Sequence, residues 1–245
     1  MNGILLAGGS GTRLFPLTQV VNKHLLGLHG KFIIDYPIDT LKNLGCQNIT
    51  IILGGNHYSQ VVGYLGDGSR YGLNFNYLYQ SEPKGIAHAI NLAKHQMGDQ
   101  NFSVCLGDNF FEEPLQWNLQ APSNHAQIML AKHHDLTRFG VASFNQIGQI
   151  TCIQEKPQQL DARTMHRAIA GCYLFTPQFF DFYRQLKPSA RGEMEVADII
   201  RCYWMDEQLS YSEVEGLWSD AGTHQSIGFL NHYLFEKENP EGSLP

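Results

Sequence analysis

Four short apolar runs, at residues 3–6, 48–53, 75–79 and 102–106, contain no charged residue, and each ends at a glycine or a turn. Runs of this length, rich in Ile, Val and Phe, predict strands buried on both faces. Between them the apolar spacing becomes helical, at 34–44, 58–65 and 86–96. Strands that alternate with helices predict βαβ units and a mostly parallel sheet, covered on both sides. Ligands of such sheets bind at the carboxyl ends of the strands. Two polar loops fall there: Gly8 to Arg13 after the first strand, and Gly107-Asp108-Asn109 after the fourth.

From about residue 126 the rhythm changes. Runs at 128–132, 141–144, 150–154 and 169–175 read as strands with little helix between them, so they predict antiparallel additions to the sheet. Helical patterns return at 177–186, 193–206 and 224–238. No repeat, low-complexity segment or long linker interrupts the chain. The expectation is one α/β domain over 1–238, with a nucleotide-binding part to about 125 and an acceptor part from about 126. The end, 239–245, carries Pro, Gly and Ser and is expected to be loose.

Composition narrows the function. A chain of 245 residues with 43% hydrophobic and 16% charged residues is an ordinary globular one. Its net charge of −6, with no Lys/Arg cluster, argues against nucleic acid as a partner. An anionic ligand must be held by a few placed cations. The apolar runs are too short for a membrane helix, and no basic leader precedes the first strand, so a membrane is not an expected partner. Five widely spaced cysteines without a CxxC pair suggest neither a disulfide framework nor a zinc site, and fit a reducing cytoplasm. His133-His134-Asp135 is a compact group without metal-ligand spacing.

The loop Ala7-Gly8-Gly9-Ser10-Gly11-Thr12-Arg13, followed by Lys23, carries the first chemistry. Glycine lets backbone amides approach a bulky anion, and Arg13 with Lys23 supplies charge for a polyphosphate. Two common phosphate loops are excluded. Gly3 and Gly8 have P-loop spacing, but Gly9 stands where Lys is required. The dinucleotide pattern lacks its third glycine, because Leu14 stands there. Asp108 and Asp220 are candidate metal carboxylates from distant segments, a pairing that suits Mg²⁺. Read singly, Asp108 is also compatible with an Asp-Asn turn and Asp220 with a helix cap. Arg191 sits one turn before a helix expected to start near Glu193, where free amides favour an anion.

Taken together these segments resemble the sugar-1-phosphate nucleotidyltransferases. The resemblance rests on Leu6 to Leu14, Pro16-Leu17-Thr18, Asn22-Lys23-His24-Leu25-Leu26, Gln80…Pro83…Gly85-Ile86-Ala87 and Leu106-Gly107-Asp108-Asn109. It continues through Phe139-Gly140-Val141, Glu155-Lys156-Pro157, Ala170-Gly171-Cys172-Tyr173, the run 187–193 and the run 218–224. The last two blocks are most similar to the branch that makes dTDP-glucose. The resemblance implies a Rossmann-like three-layer α/β/α fold of the nucleotide-diphospho-sugar transferase type, with a mixed, mostly parallel sheet.

It also implies a reaction. Glucose 1-phosphate attacks the α-phosphorus of dTTP with Mg²⁺, giving dTDP-glucose and pyrophosphate for deoxysugar pathways such as that to dTDP-rhamnose. Catalytic roles fall to Arg13, Lys23 and Asp108, and the metal to Asp108 and Asp220. The nucleotide falls to Leu6, Gly8, Gly9, Gly11, Thr12, Arg13, Gln80, Pro83 and Gly85. The sugar phosphate falls to Gly140, Glu155, Lys156, Ile169, Gly171, Tyr173 and Arg191. His24 departs from the Gln usual in this family. The resemblance further implies a homo-oligomer, tetramer or dimer. Long relatives add carboxyl-terminal helices that build a regulatory site, so feedback by a dTDP-sugar is not expected here. A transferase using UTP or another sugar phosphate stays open, as does a non-catalytic nucleotide-binding paralogue.

Overall fold

The computed structural model describes residues 1–239. Strand β1 (Asn2–Ala7) is followed by a hairpin of β2 (Gly27–Leu28) and β3 (Lys31–Phe32), then α1 (Asp35–Asn43), β4 (Asn48–Gly54), α2 (Tyr58–Leu65) and β5 (Asn74–Gln80). Helices α3 (Ile86–Leu92) and α4 (Lys94–Met97) lead into β6 (Phe102–Leu106) and the short β7 (Asn109–Phe111). Strands β8 (Ala126–Ala131), β9 (Gly140–Phe144), β10 (Ile150–Glu155) and β11 (Met165–Phe175) follow without an α-helix between them. The chain then forms α5 (Phe179–Gln185), α6 (Val196–Met205), β12 (Leu209–Glu213), β13 (Trp218–Asp220) and α7 (His224–Glu238). The expected loose end lies outside the described residues, apart from Asn239.

A nine-stranded sheet organises the molecule, with the order β10-β9-β11-β6-β1-β4-β5, β8 branching from β11 and β12 paired to β8. Strands β5, β4, β1 and β6 are parallel, and the pairs β11–β6, β11–β8, β11–β9 and β10–β9 are antiparallel. The sheet is therefore mixed, as the change of rhythm near residue 126 predicts. One further strand, β12, which the apolar pattern does not reveal, pairs with β8 in parallel. Ser210 and Ser212 are half-buried and Tyr211 and Glu213 are exposed, so no continuous apolar run marks it.

Strand periodicity divides the core. Ile4 and Leu6 point to the layer of α3, α5 and α6, with Phe102, Val104, Ile199 and Tyr203. Leu5 and Ala7 point to the layer of α1 and α2, with Ile38, Leu41, Val61 and Cys105. Each fully buried side chain of this size contributes about 2 kcal/mol, so β1 belongs at the centre of the sheet. Helices on both faces give the three-layer α/β/α architecture.

Three helix boundaries differ from the sequence pattern. The helix expected at 86–96 breaks at Ala93, whose N–H bonds the Ile90 carbonyl in a tighter turn. Residues 177 and 178 lie in a turn before α5. The helix expected from 193 begins only at Val196. There the backbone is diverted: Met194 donates its N–H to the Lys84 carbonyl and accepts from the Ala87 N–H, at 2.8 and 3.1 Å. Among the described residues no helix is long and apolar enough to cross a membrane.

Glu112, beyond β7, docks α7. Its carboxylate accepts from Lys237 Nζ at 2.7 Å, from the Tyr233 hydroxyl at 2.5 Å and from the Leu217 N–H at 2.7 Å. These bonds, the one to Lys237 foremost, hold its carboxyl at about 2 against an ordinary 4.5. The stabilisation is thus fully present above the ordinary value and is lost as pH falls through the folded one. Glu112→Ala is expected to lower stability by about 1–3 kcal/mol. Amide exchange should rise in α7, with Glu113→Ala as the exposed control. Unchanged protection of α7 in the Glu112 variant counts against this docking.

Candidate active site

The site lies where β1 and β6 end side by side. These strands are in register from Asn2 opposite Phe102 to Leu6 opposite Leu106, and the Gly107 N–H donates to the Leu6 carbonyl at 2.9 Å. The glycine loop and Asp108 are therefore neighbours. A side chain at 107 would lie 2.7 Å from the Leu6 carbonyl and 2.9 Å from the His24 ring, so only glycine fits.

Two adjoining clefts open here. The smaller, about 240 Å³, is lined by Leu6, Gly8, Gly9, Lys23, Gln80, Pro83 and Gly85 over an apolar floor that includes Ile52 and Ala89. The larger, about 630 Å³, is lined by Thr12, Arg13, Gly140, Glu155, Lys156, Ile169, Gly171, Tyr173 and Asp220. Asp108, Leu106, Ile86 and Glu193 line both. The residues expected to hold a nucleotide thus gather mainly in one cleft, and those expected to hold a sugar phosphate in the other. Thr12 and Arg13 face the larger cleft. Gly11 lines neither but is needed under the loop. Its φ is +67°, and a Cβ would meet Thr18 at 2.9 Å and Lys23 at 3.0 Å.

Lys23 crosses the Gly9 backbone, and its ammonium lies 2.6 Å from an Asp108 oxygen. Burial alone would raise the Asp108 carboxyl. The Lys23 charge and hydrogen bond outweigh it, aided by Arg13, and hold Asp108 well below the carboxylate range. His24 is buried, and its Nδ1 lies 2.8 Å from Asn22 Oδ1, which also accepts the His24 N–H. Desolvation and neighbouring Lys23 lower its pKa to about 3, so the ring is neutral at any working pH. His24 lines neither cleft and serves as packing behind Gly107.

Asp220 reaches Asp108 through a route that strand periodicity does not reveal. Strands β13 and β7 pair with Asp220 opposite Asn109, and the Ala221 N–H donates to the Asp108 carbonyl at 2.7 Å. Arg138 holds Asp220 Oδ2 at 2.6 Å, with Arg13 at 4.0 Å. Burial and the Asp108 charge raise the Asp220 carboxyl, and these two arginines oppose the rise. Asp220 Oδ1 is buried with no hydrogen-bond partner among the described residues. A buried, orphaned carboxylate oxygen suits a hard cation. Among the described residues no group of three or more His, Cys, Asp or Glu side chains forms a closed metal cage. A two-carboxylate site leaves coordination positions for phosphate oxygens and water, and the donors fit Mg²⁺.

The acceptor cleft is shaped by omissions as well as side chains. At Gly171 a Cβ would lie 2.5 Å from Leu106, and at Gly140 it would lie 3.3 Å from Glu155. Lys156, directly after β10, adopts a φ of +43° and lies 3.7 Å from Glu155. Burial raises the Glu155 carboxyl against the pull of Lys156.

Arg191 requires a correction. Because α6 starts at Val196, Arg191 does not sit one turn before the helix, and its guanidinium is engaged by carboxylates. It lies 2.9 Å from Glu195, 3.3 Å from Glu155 and 3.7 Å from Glu193. It lies beside the larger cleft through Glu155 and Glu193 and does not line it.

Sequence reasoning missed Arg138, Glu195 and Asn109 as site residues. Asn109 donates to Asp108 at 3.2 Å and accepts the Trp218 indole N–H at 2.7 Å. Arg138 adjoins Phe139-Gly140, so proximity to that block was its only signal. Nothing in the sequence pairs it with Asp220, 82 residues away.

Known proteins resemble this chain in sequence and in fold. A glucose-1-phosphate thymidylyltransferase of Neisseria meningitidis is 37% identical over 234 residues, covering 93% of this chain and 80% of its own. The low-salt glycan biosynthesis nucleotidyltransferase Agl11 of Haloferax volcanii is 36% identical, covering 98% of this chain and 67% of its own. A Bacillus anthracis protein crystallised with sucrose, provisionally assigned as a glucose-1-phosphate thymidylyltransferase, superposes with a TM-score of 0.86 at 38% identity, over 95% of this chain and 94% of its own. With the family model for nucleotidyl transferases matching residues 2–236, this chain belongs to the nucleotidyl transferase family.

Proposed function

We propose that the chain joins dTTP and glucose 1-phosphate into dTDP-glucose and pyrophosphate. The observation that carries this reading is the shared wall of the two clefts. Asp108 and Leu106 border both, so a nucleotide in one and a sugar phosphate in the other bring their phosphates together at Asp108. The relatives named for this activity support the choice of substrates.

An oxygen of the sugar phosphate forms a bond to the α-phosphorus, and the bond from that phosphorus to the oxygen bridging the β-phosphorus breaks in line. Pyrophosphate leaves with the electron pair. The attacking oxygen is already ionised at neutral pH, so no general base is needed. The difficulty is to bring two anions together, which is a matter of positioning and charge. The glycine-loop amides and Arg13 stabilise the departing pyrophosphate, and Lys23 neutralises charge at the reacting phosphates. Lys156 holds the attacking phosphate, and Glu155 accepts from sugar hydroxyls. Arg191 can assist only by leaving part of its carboxylate cage. Asp108 and Asp220 are the residues that would hold Mg²⁺. When bound, that ion supplies positive charge to the phosphate oxygens.

Pyrophosphate release, measured over dTTP, UTP and dCTP against glucose 1-phosphate and other hexose 1-phosphates, tests the proposal. The fastest release is expected with dTTP and glucose 1-phosphate, and release with no pair refutes it. Asp108→Asn is expected to lose roughly 10²–10³-fold in kcat, the usual cost of removing one preorganised electrostatic group. Near wild-type turnover of that variant with saturating Mg²⁺ removes Asp108 from the metal role. Lys156→Ala should raise KM for glucose 1-phosphate by about ten- to a hundredfold, the worth of one charge-assisted hydrogen bond, and leave KM for dTTP near its original value. Equal loss for both substrates contradicts the acceptor assignment.

A further inference from the structure

The three carboxylates around Arg191 do not hold it alike. Glu195 is 6% exposed and grips one edge of the guanidinium. Nε donates to its Oε1 at 3.2 Å, and Nη2 donates to both of its oxygens at 2.9 Å. Ser189 braces the pair. Its hydroxyl donates to Glu195 Oε1 at 2.6 Å and accepts the Arg191 N–H at 3.2 Å. Glu195 stands at the head of α6, where an acidic side chain ordinarily serves the free helix amides, but it makes no such bond. Its carboxylate serves Arg191 and Ser189 instead, and it lines neither cleft.

The other two contacts are weaker. Glu193 lies 3.7 Å from Nη2, and Glu155 takes one bond from Nη2 at 3.3 Å. A guanidinium offers oxygen two forks of N–H groups, Nε–Nη2 and Nη1–Nη2. Glu195 closes the first, so the second is the one that faces Glu155. Among the described residues every side-chain hydrogen bond of Arg191 goes through Nε or Nη2, which leaves Nη1 unused. Lys156 Nζ lies 3.7 Å from Glu155 Oε1, the same oxygen that Nη2 meets. Glu155 Oε2 faces Gly140, where a Cβ would come within 3.3 Å of it. Two cations from separate segments thus converge on one carboxylate oxygen at the larger cleft. A phosphate oxygen that takes its place meets both.

Resting on the sugar-phosphate reading of the larger cleft, we infer that Glu195 is a positioning residue: it grips Arg191 by the Nε–Nη2 fork, so that the Nη1–Nη2 fork is presented beside Lys156 to the phosphate of the sugar substrate. The phosphate displaces Arg191 from Glu155, a single contact, and leaves the two-pronged bond to Glu195 in place. Two-pronged, charge-assisted bonds are the stronger kind and fix orientation as well as distance. Without that anchor the guanidinium settles on Glu155 and Glu193, which both line the larger cleft, and occupies the carboxylate that the sugar needs. Glu195 touches no substrate and acts through Arg191 alone.

Steady-state pyrophosphate release with Mg²⁺ tests the inference on Glu195→Gln, Arg191→Gln, the double variant and Ser189→Ala. Glu195→Gln keeps the shape and loses the charge. It is expected to raise KM for glucose 1-phosphate by about tenfold, the lower end for one charge-assisted hydrogen bond, and to leave KM for dTTP unmoved. Arg191→Gln should cost at least as much. Glu195→Gln added to it should cost nothing further, because the two side chains act as one unit. Ser189→Ala loses only the brace and should raise the same KM by about threefold. Three results overturn the inference and leave the proposed function standing. They are an unchanged KM for glucose 1-phosphate in Glu195→Gln, an equal rise for both substrates in protein with wild-type melting, and additive costs in the double variant. Should Glu195→Gln fail to fold, an unchanged KM in Ser189→Ala overturns it in the same way. Wild-type protein that releases pyrophosphate with no substrate pair overturns both.

Discussion

The parallel pairing of β1 with β6 is the constraint on which the site depends. One ladder sets the distance between the glycine loop and Asp108, and the Gly107 N–H extends it one bond past the last strand residue of β6. The ladder is held by side chains buried on both faces of β1, so it cannot slip without exposing them. At its end Gly107 has room only for hydrogen, with Leu6 on one side and His24 on the other. The charged groups therefore sit at the end of a ladder buried on both faces, where fixed geometry preserves electrostatic alignment.

Around that point charge is balanced in two linked pairs. Lys23 meets Asp108, and Arg138 meets Asp220, each at 2.6 Å. The balance is unequal. Asp108 is held firmly ionised by Lys23, whereas Asp220 keeps a raised carboxyl and one unpaired oxygen. That oxygen, Asp220 Oδ1, is the buried carboxylate atom left without a hydrogen-bond partner among the described residues. Beside the larger cleft the balance is different, with the single guanidinium of Arg191 confined by three carboxylates, Glu155, Glu193 and Glu195.

The antiparallel half of the sheet supplies the second cleft. Strand β11 pairs along one edge with β9 and then β6, and along the other with β8. Its register breaks between Ala170 and Tyr173, at Gly171. The break and the missing side chain let β11 pass Leu106 closely, so the two clefts share a wall and are not separated by a layer of side chains. Glu155 and Lys156 line the larger cleft from the end of β10.

Much of this was determined by the sequence alone. Short apolar runs bounded by turns and rich in β-branched and aromatic residues read as strands covered on both sides, which is why the α/β order and the parallel core were legible in the sequence. Glycines beside Arg13, and acids at strand ends, marked the loop after β1 and Asp108 as candidates because local chemistry suffices there, and both border the paired clefts. What remained hidden are features without a local signature. Short β7 and β13 carry no periodicity, yet their pairing brings Asp220 to Asp108. Arg138 finds its partner 82 residues away, and Glu195 captures Arg191 only because the 84–87 loop delays the start of α6. Sequence fixes which groups are available, but close approach between segments decides which charges meet and which atoms are left free to bind.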